Sequence, residues 1–376
     1  MAALEAALGR DGAEAAFPAE VVAETLRQDA ALIAGIAAYR RHPWQRVVPE
    51  PPAIWIEGGS RLLDYGSAPA AGVPMLFVPS LINRAYVLDL TEQHSMLRWL
   101  AARGIRPLLL DWGWPGELER QFTVTDYVTG RLERALTAAA ETTGGPVVLA
   151  GYCMGGTLAV ATAQRRPDLV RALALLAAPW DFHAGGPDLA EHAARCLPLL
   201  EPAMAFSGTL SVDLLQVLFT LLDPWGVGAK YRAFSRLEPS GSRAELFVAI
   251  EDWLNDGVPL AAPVARTCLA EWYGKNAPLR GEWRIAGLPV DPAAIDKPTW
   301  VAAPAHDRIV PPGSAQALAG LIKRSVLHEP AAGHIGMAAG SRAERALWRP
   351  LAEWVGSLPQ PAGLTRREQA KPRSRD

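Results

Sequence analysis

Three residues far apart in the 376-residue chain, Cys153, Asp307 and His334, have the types and order of a nucleophilic relay. Cys153 lies in residues 147–159, VVLAGYCMGGTLA, where an apolar run meets Gly151-Tyr152-Cys153-Met154-Gly155 and then a helical pattern. A nucleophile with small residues two before and two after it fits a sharp strand-to-helix turn, where strand and helix pass closely. A helix N-terminus beneath the nucleophile favours the negative charge that develops during acyl transfer. The Met154 N–H is the expected first oxyanion donor. Such a turn requires an acid and then a histidine later in the chain. Asp307, in PAHDRIVPP (304–312), follows the apolar run 299–303. His334, in AGHIG (332–336), follows a short strand at 325–329 and is the expected base. His306 adjoins Asp307 but does not lie on that final loop. The loop VPSLINR (78–84) leaves an earlier strand and is expected to give a second oxyanion donor at the Ile82 N–H. DWGWPG (111–116) suits aromatic packing in a turn and equally a pocket wall.

A fold must bring these segments together. Residues 75–79 (MLFVP), 107–111 (PLLLD), 147–150 (VVLA), 172–177 (ALALLA) and 299–303 (TWVAA) are short continuous apolar runs. Runs of this kind suit strands buried on both faces of a parallel sheet. Helical patterns at 91–103, 125–142 and 155–166 alternate with them, which implies an α/β doubly wound sheet. The alternation lapses from 183 to 295, where LPLLEPAMAF, VDLLQVLFTLL and AELFVAIEDWL read as helices. The core pattern then returns, so this stretch is expected to be a helical cap inserted in the core rather than a separate all-α domain. Residues 20–41 predict a further helix with Val22, Leu26, Leu32, Ile33 and Ile36 as its apolar face, ended by Pro43. The expected organisation is an N-terminal helical segment (1–50), core (51–182), cap (183–295), core (296–357) and a polar flexible tail (358–376).

The formal net charge of −2, with 50% hydrophobic and 20% charged residues, fits a globular protein and excludes a broadly basic nucleic-acid binder. Three cysteines without a CxxC are too few for a disulfide framework, so a reducing compartment is expected. Cys196 and Cys268 read as structural. Seven scattered histidines without HExxH suggest no metal site. His94, His183, His192 and His328 read as surface or packing residues. The first twenty residues lack the pattern of a signal peptide, and no spanning helix is expected.

Together, VPSLINRAYVLDL (78–90), DWGWPGELER (111–120), DYVTGRL (126–132), GYCMGGT (151–157), HDRIVPP (306–312) and GHIGM (333–337) resemble the polyhydroxyalkanoate synthases, particularly the short class III and class IV catalytic subunits. EDWLNDGVPLAAP (251–263) extends the resemblance into the insertion, and the likeness covers residues 45–357 in all. The resemblance implies an α/β-hydrolase core under a mobile cap. It also implies polymerisation of (R)-3-hydroxyacyl-CoA into polyester with release of CoA, the thioester being substrate rather than cofactor. By position, Cys153 carries the acyl chain, His334 is its base, and Asp307 helps activate the 3-hydroxyl through the histidine. A homodimer, a non-catalytic second subunit and a cytoplasmic, granule-associated location are further expectations. Two residues depart from the pattern: Arg308 stands where synthases usually have His, and Ala85 where many have Pro or an aromatic residue. The alternatives are a Cys-dependent hydrolase, either thioesterase or polyester depolymerase, and a non-catalytic granule-binding protein.

Overall fold

A computed structural model describes residues 19–66, 72–222 and 224–359. The first eighteen residues and the polar tail from 360 lie outside the described residues. The apolar runs form strands of an eight-stranded sheet: β1 (Ala53–Glu57), β2 (Ser60–Asp64), β3 (Val73–Val78), β4 (Ile105–Asp111), β5 (Val147–Tyr152), β6 (Val170–Leu176), β7 (Thr299–Ala302) and β8 (Ser325–His328). Their spatial order is β1-β2-β4-β3-β5-β6-β7-β8. β2 pairs antiparallel with β1 and β4, and every other pairing is parallel. Every residue of β5 is buried. Side chains alternate between two core layers: Leu76, Val78 and Leu149 join one, while Met75, Phe77 and Val148 join the other. Burial of this kind contributes roughly 1.5–3 kcal/mol per large aliphatic side chain.

The edge hairpin β1–β2 has no counterpart among the sequence expectations. β1 carries a four-residue apolar run, 53–56, but is only partly buried, and β2 is mostly buried yet holds just two apolar residues, Leu62 and Leu63. The available signal is the two-residue turn Gly58-Gly59, with Gly58 at φ 57°. The helix expected at 91–103 shortens to Met96–Ala101 because Ser95 caps it, its side chain accepting from the Arg98 N–H at 3.1 Å. Helix Ala19–Arg41 forms, but its face is corrected. Leu26 and Ile33 are 65% and 67% exposed, and Val22 and Ile36 are also exposed. The helix instead turns Gly35 against the Tyr231 backbone, where an added Cβ would lie 2.0 Å from the carbonyl oxygen.

Between β6 and β7 run the helices Pro187–Arg195, Leu197–Ser207, Val212–Leu222, Pro224–Phe234, Ser242–Asn255 and Ala262–Arg266, then a π-helical segment, Thr267–Gly274. Two-residue strand pairs, Thr209–Leu210 with Leu260–Ala261 and Arg284–Ile285 with Leu288–Pro289, punctuate this insertion. Among the described residues no helix is long and apolar enough to cross a membrane.

Candidate active site

β3 lies between β4 and β5, so the sheet reverses its winding there, and the loops after β3, β5, β7 and β8 leave the same carboxyl edge. Cys153 follows β5 directly and precedes helix Met154–Arg165. Its backbone sits at φ 55° and ψ −132°, a conformation that costs a non-glycine residue about 1–3 kcal/mol. Close packing enforces it. A Cβ on Gly151 would lie 2.3 Å from the Gly156 Cα, and one on Gly155 would lie 2.1 Å from the Val78 oxygen. The Cys153 N–H donates to the Leu176 carbonyl (2.9 Å), and the Gly156 N–H donates to the Cys153 carbonyl (2.8 Å).

Asp307 pairs with His334 rather than with the adjacent, exposed His306. Its Oδ2 lies 2.7 Å from His334 Nδ1, and its Oδ1 accepts the N–H groups of Ile309 and Val310, both at 2.9 Å. With Nδ1 engaged by Asp307, Nε2 is the ring nitrogen left for Cys153, which lines the same cavity. Burial works against charge on the imidazole. The neighbouring Cys153 and Asp307, the latter hydrogen-bonded to the ring, outweigh it, so the pKa of His334 is raised to about 10. Tyr152, which sequence reasoning did not assign, lays its ring 5.1 Å from the imidazole and donates its hydroxyl to the His334 carbonyl at 3.3 Å.

The loop after β3 is held from both sides. Trp112 Nε1 donates to the Pro79 carbonyl at 3.0 Å. Of the two readings of DWGWPG, Trp112 therefore takes the packing one, buttressing the loop from within the core. From the insertion, the Val258 N–H donates to the Ile82 carbonyl (2.9 Å), and Trp253 Nε1 donates to the Arg84 carbonyl (2.8 Å). The Ile82 N–H itself donates to Ser80 Oγ at 3.2 Å, so a substrate oxygen would have to compete for it. The Met154 N–H heads the helix, where first-turn donors lack intrahelical partners.

Two cavities meet at Cys153. One, of about 510 Å³, reaches past Trp253 and Leu254 and carries Arg84, Lys230 and Arg308 on its walls. Lys230 pairs with the buried Glu251 at 2.7 Å, and the Tyr231 hydroxyl donates to the same carboxylate at 2.9 Å. The other, of about 290 Å³, is almost wholly apolar and includes Met154, Phe182, Leu215 and Trp272. Cys196 and Cys268 line it too, and burial pushes the Cys268 thiol up to about 12, so it stays protonated. His183 bonds the Tyr273 carbonyl, His192 the Asp188 carbonyl and His328 the Ala346 carbonyl, which are packing roles.

Residues 75–347 match the Alpha/beta hydrolase family. The poly(3-hydroxyalkanoate) polymerase subunit PhaC of Haloferax mediterranei is 32% identical over 308 residues, 80% of this chain and 62% of that protein. PhaC of Haloarcula marismortui is 30% identical over 315 residues, 80% of this chain and 66% of its own length. The chain thus spans slightly less than two thirds of these two haloarchaeal relatives. PhaC of Allochromatium vinosum is 30% identical over 294 residues, 77% of this chain and 82% of that protein. Among solved structures, a thermophilic esterase from Thermogutta terrifontis shares the fold at 19% identity, with a TM-score of 0.51 over 84% of this chain and 99% of that one.

Proposed function

Since the chain belongs to the PhaC family of poly(3-hydroxyalkanoate) polymerases, within the alpha/beta hydrolases, we propose that it polymerises (R)-3-hydroxyacyl-CoA through a thioester on Cys153. The observation that supports this reading is the buried Asp307–His334 pair, with His334 lining the same cavity as Cys153 on its strained turn. The proton shared by Cys153 and His334 passes to the imidazole, as its raised pKa favours, and the Cys153 sulfur attacks the thioester carbonyl. The Met154 N–H receives the developing oxyanion, joined by the Ile82 N–H once the Ser80 hydroxyl turns away. Collapse breaks the carbonyl–sulfur bond to CoA, and His334 returns the proton to the leaving thiolate. One thioester has been exchanged for another, so the acyl group stays activated. His334 then takes the proton of a 3-hydroxyl, whose oxygen attacks the enzyme thioester. An ester bond forms, and the departing cysteine sulfur is reprotonated.

The cations lining the larger cavity suit the phosphates of CoA. The segment 183–295 acts as a cap over Cys153, with Trp253 and Leu254 keeping water from the thioester. The same reading carries a cytoplasmic enzyme at the surface of its polyester granule, working as a homodimer with a non-catalytic subunit. Product analysis tests it. Pure protein given (R)-3-hydroxybutyryl-CoA, with and without candidate subunits, should release CoA and accumulate polyester. CoA release with only free hydroxy acid would make it a thioesterase.

A further inference from the structure

The smaller cavity presents an apolar wall to Cys153, and one side chain in it breaks that pattern. Tyr273 lies on the π-helical segment Thr267–Gly274, a backbone form that recurs at functional sites. Its carbonyl is tied to His183 Nε2 at 2.7 Å, and its ring meets the Phe182 ring edge-on at 5.1 Å. The backbone and ring are thus fixed, while the phenolic hydroxyl has no hydrogen-bond partner among the described residues. The other polar groups lining this cavity besides Cys153 are less suited to bind an oxygen. His192 bonds the Asp188 carbonyl, and Cys196 and Cys268 offer only weak thiol donors. A half-buried hydroxyl without a protein partner, in an apolar cavity that ends at the nucleophile, is a place for a ligand oxygen.

We infer that Tyr273 determines specificity by hydrogen-bonding the 3-oxygen of the acyl group carried on Cys153. The inference rests on the acyl-enzyme reading above and assigns the acyl chain to the apolar cavity. Burial raises the phenol above its ordinary pKa, so it remains an O–H that can both donate and accept. An acyl chain lacking the 3-oxygen would leave that hydroxyl unpaired in a dry cavity, and the site would discriminate against it.

The test is the single-turnover acylation rate of the full chain with (R)-3-hydroxybutyryl-CoA and with butyryl-CoA, read by intact mass after rapid quenching. The wild type should favour the hydroxylated substrate. Tyr273→Phe breaks no protein hydrogen bond and should melt like the wild type. It should lose about fivefold or more of that preference, the worth of one net hydrogen bond, by slowing only the hydroxylated substrate. An unchanged preference, or equal slowing of both substrates, would overturn the assignment. If neither substrate acylated the wild type, the acyl-enzyme reading itself would fall.

Discussion

Substituting Gly155 by alanine tests how tightly the turn at Cys153 is built. The new Cβ would lie 2.1 Å from the Val78 oxygen and 2.5 Å from the Pro79 oxygen. Ordinary contact begins at 3.4 Å, so the Val78 approach falls short by about 1.3 Å. Both obstacles are backbone, one the last residue of β3 and the other the first of the loop that ends in Arg84. Neither can rotate aside as a flexible side chain would. Relief requires helix Met154–Arg165 to move away from β3 by about 1 Å, taking the Met154 N–H away from Ile82. Overpacking should cost about 1–3 kcal/mol, a fall in melting temperature of several degrees. Misplacement on this scale should slow acylation of Cys153 about 100-fold. Gly320→Ala is the control. It has nothing within 4 Å of the added Cβ, lies in helix Pro312–Leu321, and should stabilise by about 0.5–1 kcal/mol. Calorimetry and single-turnover acylation of both variants read the difference. Wild-type melting and acylation within twofold in Gly155→Ala would refute the packing account.

Two further predictions concern the relay. His334→Ala should block acylation of Cys153, whereas Asp307→Asn should let acyl-enzyme build up, because the 3-hydroxyl needs the fully supported imidazole. Quenched-flow mass spectrometry distinguishes them, and equal acylation in both variants would contradict the division of labour. The raised His334 pKa also sets a pH dependence. A group whose folded pKa exceeds its unfolded value of about 6.5 contributes stability fully below that value and loses it as pH rises through about 10. The stability advantage of wild type over His334→Gln should therefore shrink between pH 6.5 and 10. An advantage that grew over that range would reverse the sign.

The central strands were legible because β3, β4, β5, β6 and β7 are buried on both faces and so appear as unbroken apolar runs. The edge hairpin was not, since Trp55 and Arg61 stay partly exposed and only Gly58-Gly59 marks the turn. Asp307 and His334 could be singled out because their chain order follows from the fold, and the 2.7 Å contact between them has no trace in local sequence. In the first helix apolar content does not mark the buried face, since Leu26 and Ile33 are exposed whereas Gly35 allows the close approach to Tyr231. The capture of the Ile82 N–H by Ser80 depends on one side-chain rotamer, which no pattern encodes. Tyr273 and Cys153 are brought to one cavity by the tertiary path of the insertion, so their spacing of more than a hundred residues carried no signal.

Peptide mapping of enzyme quenched within one turnover of (R)-3-hydroxybutyryl-CoA tests most directly whether Cys153 carries the growing chain. The peptide containing Cys153 should gain one 3-hydroxybutyryl unit and then a ladder of further units, all removed by hydroxylamine. Cys153→Ala should show neither modification nor CoA release while keeping its fold. An unmodified Cys153 peptide during active CoA release, or a ladder on Cys196 or Cys268, would contradict the account.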